Sequence, residues 1–271
     1  VAQQLKSFQD KAWSLNVFNY RHDFFMAVLE ELDATFRFTN LRSLKVFNCV
    51  ERRIDGESLQ DFARLFLDKT TGLKSLTLDS MIATEEAAAV LASQASLASL
   101  EALSLSGAEN LDLQMNAACI EALVKNPSFR GLKKLNLKRH NIGDDGARAL
   151  AESENFPELQ VLRLSKNNIG PDGAIALAES KNLANLINLT LKDNNIGPDG
   201  AIAIAESKNF AKLIMLDLGW NNIGDDGARA LINSAHLPKL RMLSLYGNAL
   251  LDVEKEALIR LAQDQGIELI F

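Results

Sequence analysis

The feature that most constrains this chain is an internal repeat in its second half. Five segments with the same leucine pattern begin at Leu132, Leu159, Leu186, Leu213 and Leu240, each 27 residues after the one before. A fixed period of this length is the signature of repeat architectures, in which neighbouring units stack to bury a continuous apolar core. The 271 residues, which no linker or low-complexity tract divides, therefore predict one elongated domain.

The repeat continues towards both ends of the chain with less regular spacing. Related segments begin at Leu100, Leu73 and Leu41, and residues 12–20 match the last of these closely enough to be a degenerate first repeat. Residues 266–271 alternate as a closing edge strand would. We therefore predict about ten strands in a single domain over 1–271: an irregular helix and the degenerate repeat in 1–40, repeats in 41–265 and the closing strand in 266–271.

Each unit reads as a short strand followed by an amphipathic helix. Leucines at the first, fourth and sixth places, such as Leu159, Leu162 and Leu164, are predicted to point inward. Pro171 and Asp172 then favour a helix start, and apolar residues recur behind them at helical spacing. Because helices are wider than strands, stacking such units curves the sheet and places the strands on the inner, concave side.

The ninth place of the repeat is predicted to be structural. Its asparagine side chain is expected to bond the backbone where the chain turns away from the strand; it is present as Asn167, Asn194, Asn221 and Asn248. Other residues stand at this place in four repeats, where we expect less regular loops: Tyr20, Met81, Ala108 and His140.

The pattern L-x-x-L-x-L-x-x-N followed by a helix resembles the leucine-rich repeat, specifically the ribonuclease-inhibitor-like type. The tracts Gly146-ARALA and Gly173-AIALA further resemble the GALA-type repeats of bacterial effector proteins. The resemblance covers the chain from Ala12 onward. It implies an α/β solenoid, or horseshoe, with a concave parallel sheet and convex helices, whose function is to bind another protein.

The residues that most often carry chemistry are scattered. His22, His140 and His236 have no carboxylate or cysteine at metal-ligand spacing, and each is predicted to be a surface or loop histidine. Cys49 and Cys119 lie in apolar stretches and are predicted to be reduced core residues in a reducing compartment. We therefore predict no catalytic residue, no metal and no cofactor.

Charge and hydropathy narrow the class of partner. The net charge of −6 argues against general nucleic-acid binding, which depends on Lys and Arg meeting phosphates. The acidic pairs at 144–145 and 225–226 recur at predicted helix starts, where the helix dipole alone explains them. No apolar run is long enough to span a bilayer, so no membrane partner is expected. The start at Val1 suggests a processed product or an excised piece.

The predicted binding site is read from the outward strand places, which are the third, fifth, seventh and eighth. The middle repeats supply a basic patch: Lys134, Lys138, Arg139, Arg163, Lys166 and Lys192. The later repeats supply large apolar or aromatic side chains and one acid: Met215, Asp217, Trp220, Met242 and Tyr246. Both groups on one face predict a protein partner with an acidic segment and a protruding apolar residue.

The leading hypothesis is a protein-interaction module, acting in the bacterial cytosol or, if the chain is part of a secreted effector, in the host cytosol, with a monomer favoured. One alternative is a GTPase-activating protein, because one family of these is similar to ribonuclease-inhibitor-like repeats. Another is a substrate adaptor of a ubiquitin ligase, because GALA-type effectors join their repeats to an F-box. A scaffold that uses the convex stripe of Ile175 and Ile202, with Arg148 and Arg229, is a further possibility.

Overall fold

The computed structural model describes residues 13–18, 38, 40–47, 56–65, 67–82, 84–107 and 114–271. Several predictions lie outside this part of the chain: the helix in residues 1–11, the loops at Tyr20 and Ala108, and the roles of His22 and Cys49. Within it, the described residues form one α/β solenoid in which strands and helices alternate.

Ten parallel strands form one sheet in chain order. They are β1 Trp13–Phe18, β2 Leu41–Phe47, β3 Ser75–Asp79, β4 Ala102–Ser104, β5 Lys134–Asn136, β6 Val161–Arg163, β7 Asn188–Thr190, β8 Met215–Asp217, β9 Met242–Ser244 and β10 Glu268–Ile270. From β2 onward each strand pairs in register with the next, so that Leu135, Leu162 and Leu189 lie side by side. The ten parallel strands agree with the predicted number.

The helices cover the other side of the sheet. In the described residues they are α1 Gly56–Leu65, α2 Glu85–Ala92, α3 Ala117–Leu123, α4 Gly143–Glu152, α5 Pro171–Glu179, α6 Gly197–Glu206, α7 Gly224–Ile232 and α8 Asp252–Asp264. Because a helix needs about twice the width of a strand, the sheet lies on the inner, concave side of the stack. Its outward surface is called the sheet face below.

The core lies between the sheet and the helices and runs the length of the described solenoid. The leucines at the first, fourth and sixth places are buried, as predicted; Leu159, Leu162 and Leu164 are examples. Ala174 and Leu177 meet them from α5 and are equally inaccessible to solvent. Burying each leucine stabilises the fold by about 2 kcal/mol, and the alternation leaves the third, fifth and seventh places on the sheet face.

The ninth-place asparagines join neighbouring repeats, which explains why the solenoid needs them. The Asn221 Nδ2 donates to the carbonyls of Leu191 and Leu218 at 2.9 and 3.0 Å, in the previous repeat and its own. The backbone N–H of Asn221 donates to the Asn248 Oδ1 at 2.9 Å. Each amide thus satisfies buried backbone groups on both sides of a turn.

His140 corrects the prediction of a surface or loop histidine, because it is buried and serves in this ladder. Its Nε2 donates to the Leu105 carbonyl at 2.5 Å, as the Asn167 Nδ2 donates to Leu137 at 2.8 Å. The Nδ1 accepts from the backbone N–H of Met115 at 3.0 Å, which requires the neutral ring with its proton on Nε2. The imidazole therefore reproduces the amide's donor and acceptor.

The loop at His140 is also regular, contrary to the expectation. Its backbone N–H donates to the Lys166 carbonyl at 3.1 Å, and the equivalent bond of Asn194 to Trp220 measures 3.2 Å. Burial lowers the pKa of His140 from 6.5 to about 4, because a charged ring is poorly solvated there. A neutral histidine thus fits this place as asparagine does.

A second ladder, which the sequence analysis missed, links the ends of the helices. The Ser180 Oγ donates to the Ala151 carbonyl at 2.5 Å, and the Ser207 Oγ donates to Ala178 in the same way. At the other end of the helices, the Asp144 carboxylate accepts from the backbone N–H groups of Gly170 and Gly173 at 2.6 and 2.9 Å. The acidic residues at helix starts therefore cap the next repeat through hydrogen bonds, beyond any dipole effect.

Candidate functional site

Five of the six predicted cations come together on the sheet face. We call them the cation cluster: Lys138, Arg139, Arg163, Lys166 and Lys192. The pKa of Lys138 lies below its ordinary value, first because the ammonium is partly buried and then because the other four members repel its charge. Lys166 also forms an ion pair with Asp193 at 3.4 Å, in which both side chains are half exposed. The cluster is therefore a concentrated region of positive potential in a chain whose net charge is −6.

Lys134, the sixth cation, lies elsewhere on the same face. It occupies the third place of β5, whereas Lys138 occupies the seventh, about 13 Å further along the chain direction. Lys134 and Arg163 border a shallow depression of about 110 Å³, whose floor consists of small side chains of β3 and β4, including Ser75 and Ser104. Lys134 is thus distant from Lys138 along the chain direction but shares this depression with Arg163.

The seventh place alternates between large and small side chains across five repeats: Lys138, Ser165, Lys192, Gly219 and Tyr246. Backbone bonds join this level of the sheet, since Arg139 donates to the Ser165 carbonyl at 2.8 Å and Trp220 donates to Tyr246 at 2.7 Å. The two small residues are largely covered: 5% of Ser165 is exposed, and Gly219 is buried.

Ser165 lies among members of the cation cluster. Lys138 and Lys192 occupy the same place on the two neighbouring repeats, about 4.8 Å to either side. Arg163 lies two residues before Ser165, at the end of β6, and Lys166 follows it directly. Cationic side chains therefore flank a nearly buried serine.

Trp220 and Tyr246 form an aromatic pair beside Gly219. Their rings meet edge to face at 5.4 Å and 83°, and each residue is 49% exposed. Trp220 has a positive φ of 58°, which is uncommon for a bulky residue. A Cβ on Gly247 would lie 2.5 Å from the Trp220 Cδ2, so the indole rests directly on the glycine backbone. The local structure is therefore arranged to hold a half-exposed tryptophan.

The remaining predicted residues of the later repeats do not join the aromatic pair. Met215 and Met242 pair in register at the third place of β8 and β9, and both are half-buried. They lie four residues before Gly219 and Tyr246, about 13 Å away along the strands. The Asp217 Oδ1 accepts from the backbone N–H of Gly219 at 3.1 Å, so this carboxylate closes the strand end.

Metal-ligating groups and reactive thiols are few among the described residues. No three histidine, cysteine or acidic side chains there are grouped to hold a metal ion. Cys119 is a buried free thiol, as predicted for a core residue, and burial raises its pKa. None of the described helices has the length and apolar content to cross a lipid bilayer.

The stacked parallel strands, buried leucines and asparagine ladder define a repeat solenoid. A family model described as Leucine Rich repeat matches the chain four times, at residues 132–151, 158–178, 183–205 and 212–231. The chain therefore contains leucine-rich repeats, a unit that generally mediates protein–protein interaction and is typically not enzymatic. No curated protein matches the chain in sequence.

Proposed function

We propose that this chain is a protein-interaction module that holds a partner protein on its sheet face, through the cation cluster and the aromatic pair. The observation that carries the proposal is the conformation of Trp220. A left-handed backbone costs an ordinary side chain about 1 kcal/mol, and glycine or asparagine would relieve that cost. A half-exposed tryptophan at this place costs stability without filling the core, which is the mark of a binding residue.

The two parts of the site would act differently. The cation cluster would attract an acidic segment of the partner and orient it during approach, since opposite surface charges mainly raise the association rate. The aromatic pair would hold a protruding apolar side chain, because Trp and Tyr provide large contact area and dominate interface energetics. Dissociation would then depend chiefly on Trp220 and Tyr246.

We propose no catalytic step, metal or cofactor for this chain. Any enzymatic activity of the complex would belong to the partner. The buried free thiol of Cys119 suits a reducing compartment, and we therefore place the interaction in the cytosol of a bacterium or of a host cell. The ribonuclease-inhibitor-like type and the relation to effector proteins are parts of the same proposal. They rest on the repeat motif and on the Gly-Ala tracts at residues 146–151 and 173–178.

Capture of partners from lysate, with matched variants of this chain, tests the proposal. Trp220→Asn removes the anchor and suits the left-handed backbone, while Lys138→Glu/Lys192→Glu reverses two charges of the cluster. Ile214→Asn is the apolar control, because Ile214 is 42% exposed outside the site. Lys181→Glu/Lys208→Glu is the charge control, because both lysines are exposed on the short 3-10 helices that follow α5 and α6.

We expect a directly bound partner to lose at least about tenfold in affinity with each site variant and to bind both controls as it binds the original chain. Unchanged melting temperatures would exclude unfolding as the cause. A partner that binds both site variants normally would refute the sheet-face site. The identity of the partner would decide the wider role: a small GTPase would favour GTPase activation, and a ubiquitin-ligase component would favour the adaptor.

A further inference from the structure

The shallow depression on the sheet face lies between β3 and β6, and the size of the side chains there explains its position. Small side chains occupy the third and fifth places of β3 and β4: Ser75, Thr77, Ala102 and Ser104. On β8 and β9 the third place carries methionine instead. The depression has a volume of about 110 Å³, and Lys134 and Arg163 border it on the side of the later repeats.

Several hydrogen-bond donors around the depression have no acceptor within the protein. Lys134 and Arg163 are exposed, and neither forms an ion pair within the part of the chain that the structure describes. Over the same residues, the side-chain hydroxyls of Ser75 and Thr77 form no hydrogen bond. An ammonium, a guanidinium and two hydroxyls can donate several hydrogen bonds together, so a group that accepts them fits this depression.

Next to the depression, the chain itself holds a carboxylate between two cations. Glu101 accepts from the Nζ atoms of Lys74 and Lys133 at 2.8 and 3.1 Å, and their hydrogen bonds lower its pKa. Lys134 and Arg163 lie on adjacent strands, two residues apart along the strand direction, so their Cα atoms are about 8 Å apart. Both side chains are long enough to reach one carboxylate from that separation.

An acidic neighbour limits the charge that the depression favours. Asp79 lies two residues beyond Thr77 on β3, and its carboxylate accepts from the Ser104 Oγ at 2.7 Å and from the Ser106 N–H at 2.9 Å. This negative charge offsets part of the potential of the two cations. A group with a single negative charge therefore fits better than a phosphate monoester or a nucleic-acid strand, which needs a continuous basic strip.

The shape of the donors also favours a carboxylate. The guanidinium of Arg163 matches the two oxygens of a carboxylate in a bidentate pair. A carboxylate at the end of a chain is typically captured by free backbone N–H groups, whereas the strands around the depression use theirs in the sheet. An acidic side chain within a partner segment is thus the occupant that fits the available donors.

We propose that the depression binds an aspartate or glutamate side chain of the partner protein between Lys134 and Arg163. The inference deepens the proposed function and rests on it, because it assumes that the partner lies on the sheet face. The aromatic pair lies about four strands away, at a distance of about 20 Å, which an extended segment spans in about six residues. The partner segment should therefore carry its acidic residue about six positions from its apolar residue.

Two variants test the depression by different means. Lys134→Gln removes one of its cations and lies outside both the cation cluster and the aromatic pair. Ala102→Met fills the depression without a change of charge, and methionine already occupies the same place on β8 and β9. Their controls are Lys181→Gln, at an exposed lysine after α5, and Glu268→Met, at the third place of β10 beyond the aromatic pair.

The probes are peptide libraries with two fixed residues in an otherwise random sequence. The first library carries a glutamate and, at the predicted spacing on either side, a leucine. Glutamine or phosphoserine replaces the glutamate in two matched libraries, and a single-stranded oligonucleotide is the last probe. Each probe is titrated against the original chain, the four variants and Trp220→Asn, and melting temperatures check that every variant is folded.

We expect the glutamate library to bind the original chain about fivefold or more tightly than the glutamine library. This preference should disappear in Lys134→Gln and in Ala102→Met and persist in both controls. Trp220→Asn should weaken all three peptide libraries alike, because it removes the contact with the leucine and leaves the depression intact. If Ala102→Met does not fold, Lys134→Gln decides the outcome.

The inference is wrong if no library binds, if the glutamine library binds as tightly as the glutamate library, or if the preference survives in either folded variant. Tighter binding of phosphoserine or of the oligonucleotide, lost in Lys134→Gln, would assign the depression to phosphate and also overturn the inference. The proposed function fails separately. A glutamate preference that depends on Lys134 beside binding that is indifferent to Trp220→Asn would sustain the depression and refute the aromatic anchor.

Discussion

At the scale of single residues, the eighth place of the repeat has a backbone conformation that most side chains disfavour. Positive φ angles between 58° and 73° occur here in six repeats: at Ser80, Arg139, Lys166, Asp193, Trp220 and Gly247. The backbone requires this turn, because the N–H of the eighth residue donates to the next repeat, as Lys166 does to Lys192 at 2.9 Å. Glycine would relieve the strain, yet charged or aromatic residues fill most of these places. Part of the proposed site thus lies at positions where side chains are conformationally least favoured.

Gly247 leaves room for the indole of Trp220, and substitution of this glycine should lower the stability of the fold. Gly247→Ala adds a Cβ at 2.5 Å from the indole, at a φ of 73°. We expect the indole to move, its fluorescence to change, and the free energy of unfolding to fall by about 2 kcal/mol or more. Gly143→Ala is the control, because its φ is 58° and no atom lies within 4 Å of the added Cβ. Equal losses in both variants would show that the indole contact contributes nothing.

His140 should make stability depend on pH. Its pKa is about 4 in the folded chain and 6.5 when unperturbed, so the folded state disfavours protonation. The contribution of the neutral ring is complete above about 6.5 and is lost as the pH falls towards about 4, at about 1.4 kcal/mol per pH unit.

His140→Asn should keep the ladder bonds and remove this slope. Denaturant unfolding at about pH 7 and about pH 5 measures it. The original chain should lose more stability between these values than the variant does. His236→Asn is the control, since this histidine lies outside the ladder, and it should retain the original slope. An unchanged slope in His140→Asn would contradict the assignment.

At the scale of elements, the strands are short and derive their order from lateral ladders. Most described strands from β4 onward have three residues, too few to be stable alone. The asparagines on the sheet side and the serines on the helix side continue the lateral hydrogen bonding beyond the strands and helices. Each repeat is thus held at two edges as well as through its core.

Asn221→Ala should therefore destabilise the fold more than the loss of one amide side chain usually does. The substitution removes one of the two asparagine amides that bond each of the buried carbonyls of Leu191 and Leu218. It also removes the Oδ1 that accepts from the N–H of Ile196. We expect a loss of about 2 to 4 kcal/mol in the free energy of unfolding. Asn195→Ala, at an exposed neighbour of the ladder residue Asn194, should change it by less than about 0.5 kcal/mol. Similar effects at both positions would show that burial in the ladder is unimportant.

At the scale of the whole molecule, equivalent repeats make the solenoid modular. The strand register is the same from β5 to β9. If the repeat that contains β7 were removed, β6 could therefore pair with β8 in the same register as β7 does. Stability in such architectures is approximately a sum of repeat and neighbour terms. The number of repeats should then be adjustable without changing the fold.

Deletion of residues 186–212, one complete unit, tests this modularity. We expect a folded chain with native-like circular dichroism, lower stability and a smaller denaturant dependence, because less surface is buried. Deletion of residues 186–199 is the control, since it removes a strand and leaves the following helix out of phase. That variant should unfold. Equal behaviour of the two deletions would contradict a modular fold.

Much of this molecule could be predicted from the sequence, because its determinants are local and repeated. The leucine spacing predicted the strands, the buried core and the order of the sheet. The ninth-place asparagine predicted side-chain bonds to the turning backbone, but not that these bonds join neighbouring repeats. The serine ladder was missed, although a serine recurs every 27 residues from Ser153 to Ser234. His140 was misjudged because a lone histidine gives no sign that its two nitrogens can replace an amide.

The solenoid and the candidate side chains follow from the sequence, since a 27-residue period leaves stacking as the way to bury every apolar face. Which of those side chains are neighbours depends on the folded sheet. Lys134 begins β5 and Lys138 lies two residues beyond its end, whereas Lys138 and Lys192, 54 residues apart in sequence, occupy equivalent places two strands apart. The physical reason is that distance along a strand grows by about 3.3 Å per residue, whereas a whole repeat advances the sheet by only about 4.8 Å.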